Sequence, residues 1–131
     1  MSHENVEIVR QQIGAWNRRA EDWLEFYDSE AAFHMPKEWP EDAVYSGHDG
    51  IRRVDALLAD SFDEFHWEVE RLIDSSECVI GLYRARGRIK DGGAWLEQPV
   101  GAVYDFRGDK ILRVRTYFTW QEALEAAGLE G

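Results

Sequence analysis

Two runs near the C-terminus, Gln98 to Phe106 and Ile111 to Phe118, alternate residue by residue. In the first, Gln98, Val100, Ala102, Tyr104 and Phe106 fall on one side and Pro99, Gly101, Val103 and Asp105 on the other. In the second, Leu112, Val114, Thr116 and Phe118 oppose Ile111, Arg113, Arg115 and Tyr117. A period of two belongs to a strand with one wet face, and a one-residue slip would turn every apolar side chain outward. Closing Arg107-Gly108-Asp109 as a three-residue hairpin loop sets Tyr104 opposite Leu112, Ala102 opposite Val114 and Val100 opposite Thr116. Both apolar sets then share a face, so a hairpin is expected with its even-numbered positions buried.

A strand from Cys78 to Lys90 precedes it, with Val79, Gly81, Tyr83, Ala85 and Gly87 on one side and Ile80, Leu82, Arg84, Arg86 and Arg88 on the other. A Gly92-Gly93 turn pairs Lys90 with Trp95, Arg88 with Glu97, Arg86 with Pro99 and Arg84 with Gly101, and puts the arginine row on the outer face with Asp105, Arg113 and Arg115. Acids on neighbouring strands, Glu68, Glu70, Glu97 and Asp105, can neutralise that row, which reads as a solvated, cross-paired surface before it reads as an anion site or a dimer face.

Upstream, Val6, Val9, Ile13 and Trp16 recur at helical spacing, predicting an amphipathic helix from Ser2, its expected N-cap, to about Ala20. A shorter helix is expected over Glu21 to Tyr27, a short strand over Ala31 to Met35 ended by Pro36, and a loop through KEWPEDAVYSG. Ser46 and Asp49 form a capping-box pattern opening a third helix to about Ser61; His66 to Asp74 alternates as a strand, and Asp74-Ser75-Ser76-Glu77 turns the chain. Thr119 and Glu122 form a second capping box before a short C-terminal helix that Gly128 stops.

At 131 residues, with no linker, repeat or low-complexity segment, a single domain over 1–131 is expected. The lone Cys78 rules out an internal disulfide. No apolar run approaches the roughly 20 residues of a membrane span, and the first residues do not read as a signal peptide, so a cytoplasmic protein is expected. With 26 acidic against 15 basic side chains the formal charge is −11, which argues against nucleic acid and anionic membrane as partners. His3, His34, His48 and His66 show no metal-ligand spacing, and no phosphate-loop, nucleophile-elbow or dinucleotide pattern occurs; no metal or cofactor is expected.

The order helix, helix, short strand, proline loop, helix and antiparallel meander is an α+β plan. Together with Tyr45-Ser46-Gly47-His48-Asp49-Gly50-Ile51, Glu97-Gln98-Pro99-Val100 and Gly108-Asp109-Lys110-Ile111-Leu112-Arg113-Val114-Arg115 leading to Tyr117, it resembles the SnoaL-like proteins of the nuclear transport factor 2-like superfamily, related to polyketide cyclases and ketosteroid isomerases. The resemblance covers nearly the whole chain. It implies a cone-shaped, curved antiparallel sheet wrapped over three N-terminal helices, a pocket for a small apolar or aromatic molecule, and a homodimer packed through the sheet. It also implies where catalytic acids would stand: before the proline after the first strand, on the penultimate strand, and just after the last strand. Those places hold Met35 (with His34 beside it), Ala102 and Thr119.

The expected pocket is therefore apolar and aromatic-walled, formed by Trp16, Met35, Tyr83, Gln98, Ala102, Tyr104, Val114, Thr116 and Phe118, with Trp23 and Trp67 as further walls. Its polar groups can hydrogen-bond a ligand but none is a strong base near neutral pH. Binding of a small molecule is the leading expectation. Two alternatives stay open: a cofactor-free isomerase, cyclase or dehydratase with His34 as acid or base, and a non-catalytic dimerisation module, which an interior without ligand-sized space would favour.

Overall fold

The computed structural model describes residues 2–40, 43–75 and 77–129, with side chains from residue 4 onward. The expected Ser2 cap therefore falls outside the described side chains, as Ser76 of the turn and positions 41–42 of the proline loop fall outside the described residues. Helix α1 (Ser2–Asn17) is followed by a single 3-10 turn (Trp23–Phe26), strands β1 (Tyr27–His34) and β2 (Val44–Ser46), helix α2 (Gly47–Ser61), the meander β3 (Phe62–Asp74), β4 (Val79–Ile89), β5 (Trp95–Arg107) and β6 (Lys110–Tyr117), and helix α3 (Trp120–Ala126). The fold is α+β with one six-stranded sheet ordered β2-β1-β6-β5-β4-β3.

The sheet is mixed. β1 lies parallel to β6, with Phe33 beside Val114 and His34 beside Arg115, while the other neighbours are antiparallel. An all-antiparallel sheet is thereby corrected: β1 leaves by way of β2 and α2, and β6 returns beside it after the whole meander, a pairing that no local turn signal announces. Two α-helices, not three, precede the meander. The segment expected as a second helix forms one 3-10 turn and enters β1 at Tyr27, because Tyr27 and Trp23 are drawn into the core: the Tyr27 hydroxyl donates to Gln12 Oε1 at 2.8 Å, and Trp23 stacks on Trp16 with ring centroids 4.5 Å apart. The Ser46 capping box does not form either. Ser46 is tied into β2 opposite Ala32, and Asp49 instead accepts from Arg52. At α3 the Thr119 cap does form: its hydroxyl accepts from the Glu122 amide and donates to the Glu122 carboxylate, which takes the place of the box's bond to the Thr119 amide.

Both hairpins preserve the expected faces but sit two residues from the expected register. Asp91 and Gly92, both at positive φ, turn the chain within Lys90–Gly93, so that Arg88 meets Trp95 and Arg86 meets Glu97. The β5–β6 turn is the pair Gly108-Asp109, with Arg107 opposite Lys110 and Tyr104 opposite Val114. A bulge at Leu112 then places Ile111, expected outside, fully inside with Val114.

The inner face of the sheet and the buried stripe of α1 and α2 make the main core, which includes Val9, Ile13, Trp16, Ile51 and Val54. Arg84, Arg86 and Arg88 on the outer face pair with Glu70, Glu97, Glu68, Asp63 and Glu64. That face is not wet throughout, however. Ile80, Leu82, Val103, Cys78 and Ala123 form a second cluster where α3 lies on it, and the Trp120 indole donates to Tyr83 O at 3.0 Å. Gly101 permits this contact, since a Cβ there would stand 2.4 Å from Ala123 Cβ. Gly101→Val is expected to lift α3 and destabilise the protein by about 1–3 kcal/mol; urea unfolding measures it, and an unchanged midpoint would refute the packing.

Candidate functional site

The inner face encloses a narrow aromatic space. Ile13 and Trp16 of α1, Phe33 of β1, Trp67 of β3, Tyr83 of β4, Val100, Ala102 and Tyr104 of β5, and Val114 and Thr116 of β6 surround a cavity of about 10 Å³, close to the room one water needs. Toward solvent, Phe33, Trp67, Val100 and Thr116 continue into an apolar mouth of about 70 Å³ completed by Met35, Pro36, Trp39, Val54, Leu58 and Phe118. Trp16 meets Trp67 at 5.5 Å and Phe33 at 6.4 Å between ring centroids, and Trp67 meets Tyr83 at 6.0 Å.

Each wall is held from behind. The Asn17 carboxamide clamps the Trp67 backbone on both sides, donating to its carbonyl and accepting from its amide at 2.8 Å each, so the end of α1 fixes the indole's origin. Trp16 Nε1 donates to Asp55 Oδ1 at 2.8 Å, tying α1 to α2. Thr116 donates its hydroxyl proton to His34 O at 2.7 Å, and His48 donates from Nε2 to Tyr27 O at 2.9 Å. Tyr83 lies flat over Gly81, where a Cβ would stand 2.4 Å from its hydroxyl oxygen. From there its hydroxyl reaches that of Tyr104 at 2.7 Å.

Burial pushes the phenols of Tyr27, Tyr83 and Tyr104 above their usual range, so they remain neutral hydrogen-bonding groups and cannot serve as bases near neutrality. Behind them Gln12 is fully buried and bears on the Tyr104 hydroxyl, partly offsetting the upward push of burial. The buried Nε1 of Trp67, which borders both the cavity and the mouth, has no partner among the described residues.

Of the residues expected at the pocket, the fold gathers Trp16, Tyr83, Ala102, Tyr104, Val114 and Thr116 around the inner cavity, with Met35 and Phe118 at the mouth. Gln98 does not join them. It is exposed near the sheet's end, its amide donating to Pro99 O and Phe118 O at 3.0 Å. Trp23 stacks behind Trp16 and lines neither space. His34 faces the other side of β1, into a polar cleft of about 260 Å³ that it shares with Lys37, Arg115, Tyr117 and others. Loss of hydration, then the charges of Arg113 and Arg115, hold its imidazole below the ordinary histidine value. Sequence reasoning missed Gln12, although it occupies the i+3 place on the stripe Val9, Ile13, Trp16, and missed Trp39, which the proline loop brings to the mouth.

A six-stranded mixed sheet packed on α-helices, with an aromatic cavity between them, defines the class. The family described as SnoaL-like domain matches residues 9–114, and the chain belongs to that family. No curated protein matches the sequence significantly. Among solved structures it is similar to Bal32a from a soil-derived mobile gene cassette (TM-score 0.81, 22% identity, covering 95% of this chain and 96% of that one). It is also similar to an NTF2-like protein of unknown function from Burkholderia pseudomallei K96243 (0.79, 19%, 95% and 97%). TerC, co-crystallised with polyporic acid, aligns with TM-score 0.77 at 16% identity over 93% of this chain and 98% of its own. No helix among the described residues is long and apolar enough to cross a membrane.

Two outcomes follow from this geometry. Gly81→Ala should displace Tyr83 from Tyr104, costing about 1–3 kcal/mol and altering the tyrosine signal in near-ultraviolet circular dichroism; a native spectrum and midpoint would contradict it. His34 binds its proton less readily folded than unfolded, so its contribution destabilises the protein as pH falls from above 6.5 through its lowered folded value. In an NMR titration the His34 ring should titrate below 6.5, and His34→Gln should flatten the acid-side loss of stability relative to wild type.

Proposed function

We propose that this domain binds a small, flat, apolar molecule carrying one hydrogen-bond acceptor, inserted through the Met35–Trp39–Phe118 mouth toward the Tyr83–Tyr104 pair. The observation that carries this reading is Trp67 Nε1, a buried donor without a partner among the described residues, in a side chain that borders both the mouth and the inner cavity. A buried donor left unpaired costs about 1–3 kcal/mol, which a ligand acceptor would offset. The room for a ring is at the mouth, about 70 Å³; the inner cavity of about 10 Å³ admits no more than a water, and both fall well below the roughly 300–1,000 Å³ of drug-sized pockets. Binding is favoured over acid-base chemistry because the cavity's polar side chains are two neutral phenols, a hydroxyl and two indoles, while His34 opens into the neighbouring cleft.

Phenol is a suitable first probe. Added to ¹⁵N-labelled protein, it should move the Trp67 indole N–H signal saturably. Trp67→Phe, which keeps an aromatic wall and removes the donor, should weaken binding by roughly 2- to 12-fold, the equivalent of one net hydrogen bond. An indole signal that stays in place at saturating phenol would overturn the reading.

A further inference from the structure

We infer that the ligand is also an acid: besides the acceptor for Trp67 it carries a carboxylate, seated in the polar cleft on the far side of β1 while its apolar part occupies the mouth. This rests on the binding reading above and adds the chemical class of the ligand. The two spaces adjoin, because Met35 and Thr116 line both. One molecule of modest length therefore spans them at the open end of the β1–β6 pair.

The cleft presents His34, Lys37, Arg115 and Tyr117 against Glu38 and Glu122. Glu122 is already engaged: Oε2 lies 3.3 Å from Lys37 Nζ, and Oε1 accepts from the Thr119 hydroxyl at 2.9 Å. Glu38 is exposed, at the rim. Arg115 is the group left over. Asp105 Oδ2 accepts from Arg113 Nε at 2.8 Å and lies 3.8 Å from Arg115 Nη2, too long for a hydrogen bond. Arg115 Nε is buried with no acceptor among the described residues. A guanidinium presents its donors as a planar fork that a carboxylate matches with two parallel bonds, and a fork whose local acid is committed elsewhere is suited to a carboxylate from outside. The cleft's about 260 Å³ accommodates such a group with water around it.

The test uses three probes on ¹⁵N-labelled protein, with the Trp67 indole N–H and the Arg115 Nε–H as separate reporters: 3-phenylpropanoate, the neutral 3-phenylpropan-1-ol, and acetate. The acid should move both reporters and bind about tenfold tighter than the alcohol, acetate should move Arg115 alone, and the alcohol Trp67 alone. Arg115→Gln should erase the acid's advantage and leave alcohol binding intact; Arg115→Lys, which keeps charge without the fork, should restore part of it. Acid and alcohol binding equally, with Arg115 unmoved, would overturn the carboxylate site and leave the aromatic pocket standing. Arg115 responding to acetate while neither phenyl probe moves Trp67 would overturn the pocket and the bridging ligand together, and silence from both reporters would do the same.

Discussion

The parallel contact between β1 and β6 is the constraint on which the rest of the structure depends. It joins the N-terminal half of the chain to the end of the meander, and its register places Phe33 and Val114 on the inner face and His34 and Arg115 on the outer. The aromatic cavity and the polar cleft are the two sides of this one pairing. Thr116 locks its open end by donating to His34 O, and Arg107 braces its other end by holding Asp28 and Glu30. The Arg107 guanidinium accordingly keeps the Asp28 carboxyl below its ordinary value. Such a contact closes a long loop, an entropic cost that local hairpins do not carry.

The interior combines tight packing with unspent polarity. Gly81 exists in the packing sense as the floor for Tyr83, and Tyr83 as the partner of Tyr104; neither phenol could be buried singly without losing a hydrogen bond. Gln12 accepts from Tyr27 and bears on Tyr104, and Trp67 is clamped by its backbone while its indole N–H has no partner among the described residues. A core selected for stability alone would replace these with apolar groups of similar shape, since an orphaned buried donor costs more than a net hydrogen bond contributes. Of Gln12 and Trp67 only Trp67 borders the cavity, and its unpartnered donor is the observation on which the proposed binding reading rests.

Which parts of this were legible in the sequence follows from the range of the interactions involved. Alternation from Val79 to Thr116 fixed the faces of β4, β5 and most of β6, because side-chain parity survives a two-residue error in register; that is why the hairpins could be misaligned and the pocket walls still gathered correctly. The bulge at Leu112 defeated parity locally and brought Ile111 inside. Gln98 obeyed parity, yet lies where the sheet outruns its cover, and alternation carries no information about where a cover ends. The 3-10 turn, β2 and the parallel pairing depend on partners far along the chain. The same is true of α3, whose docking made Val103 and Leu82 a second core on a face that the arginines had marked as wet.

Charge is where local and global arguments part. The protein carries a formal charge of −11, so at long range it repels an acid rather than steering it in. At physiological ionic strength that repulsion is screened over about 8 Å, whereas a guanidinium fork acts at hydrogen-bond distance in a partly dehydrated cleft. The outer face shows the same separation of scales: Arg84, Arg86 and Arg88 sit among acids at close range and leave little field beyond them. Arg115 differs from these three not in charge but in having its nearest acid claimed by Arg113. A net-charge argument disfavours polyanions, whose affinity is summed over many distant charges, and has no bearing on a single carboxylate met by one guanidinium fork. In the proposed reading, recognition rests on two donors left without a partner among the described residues, Trp67 Nε1 on β3 and Arg115 Nε on β6.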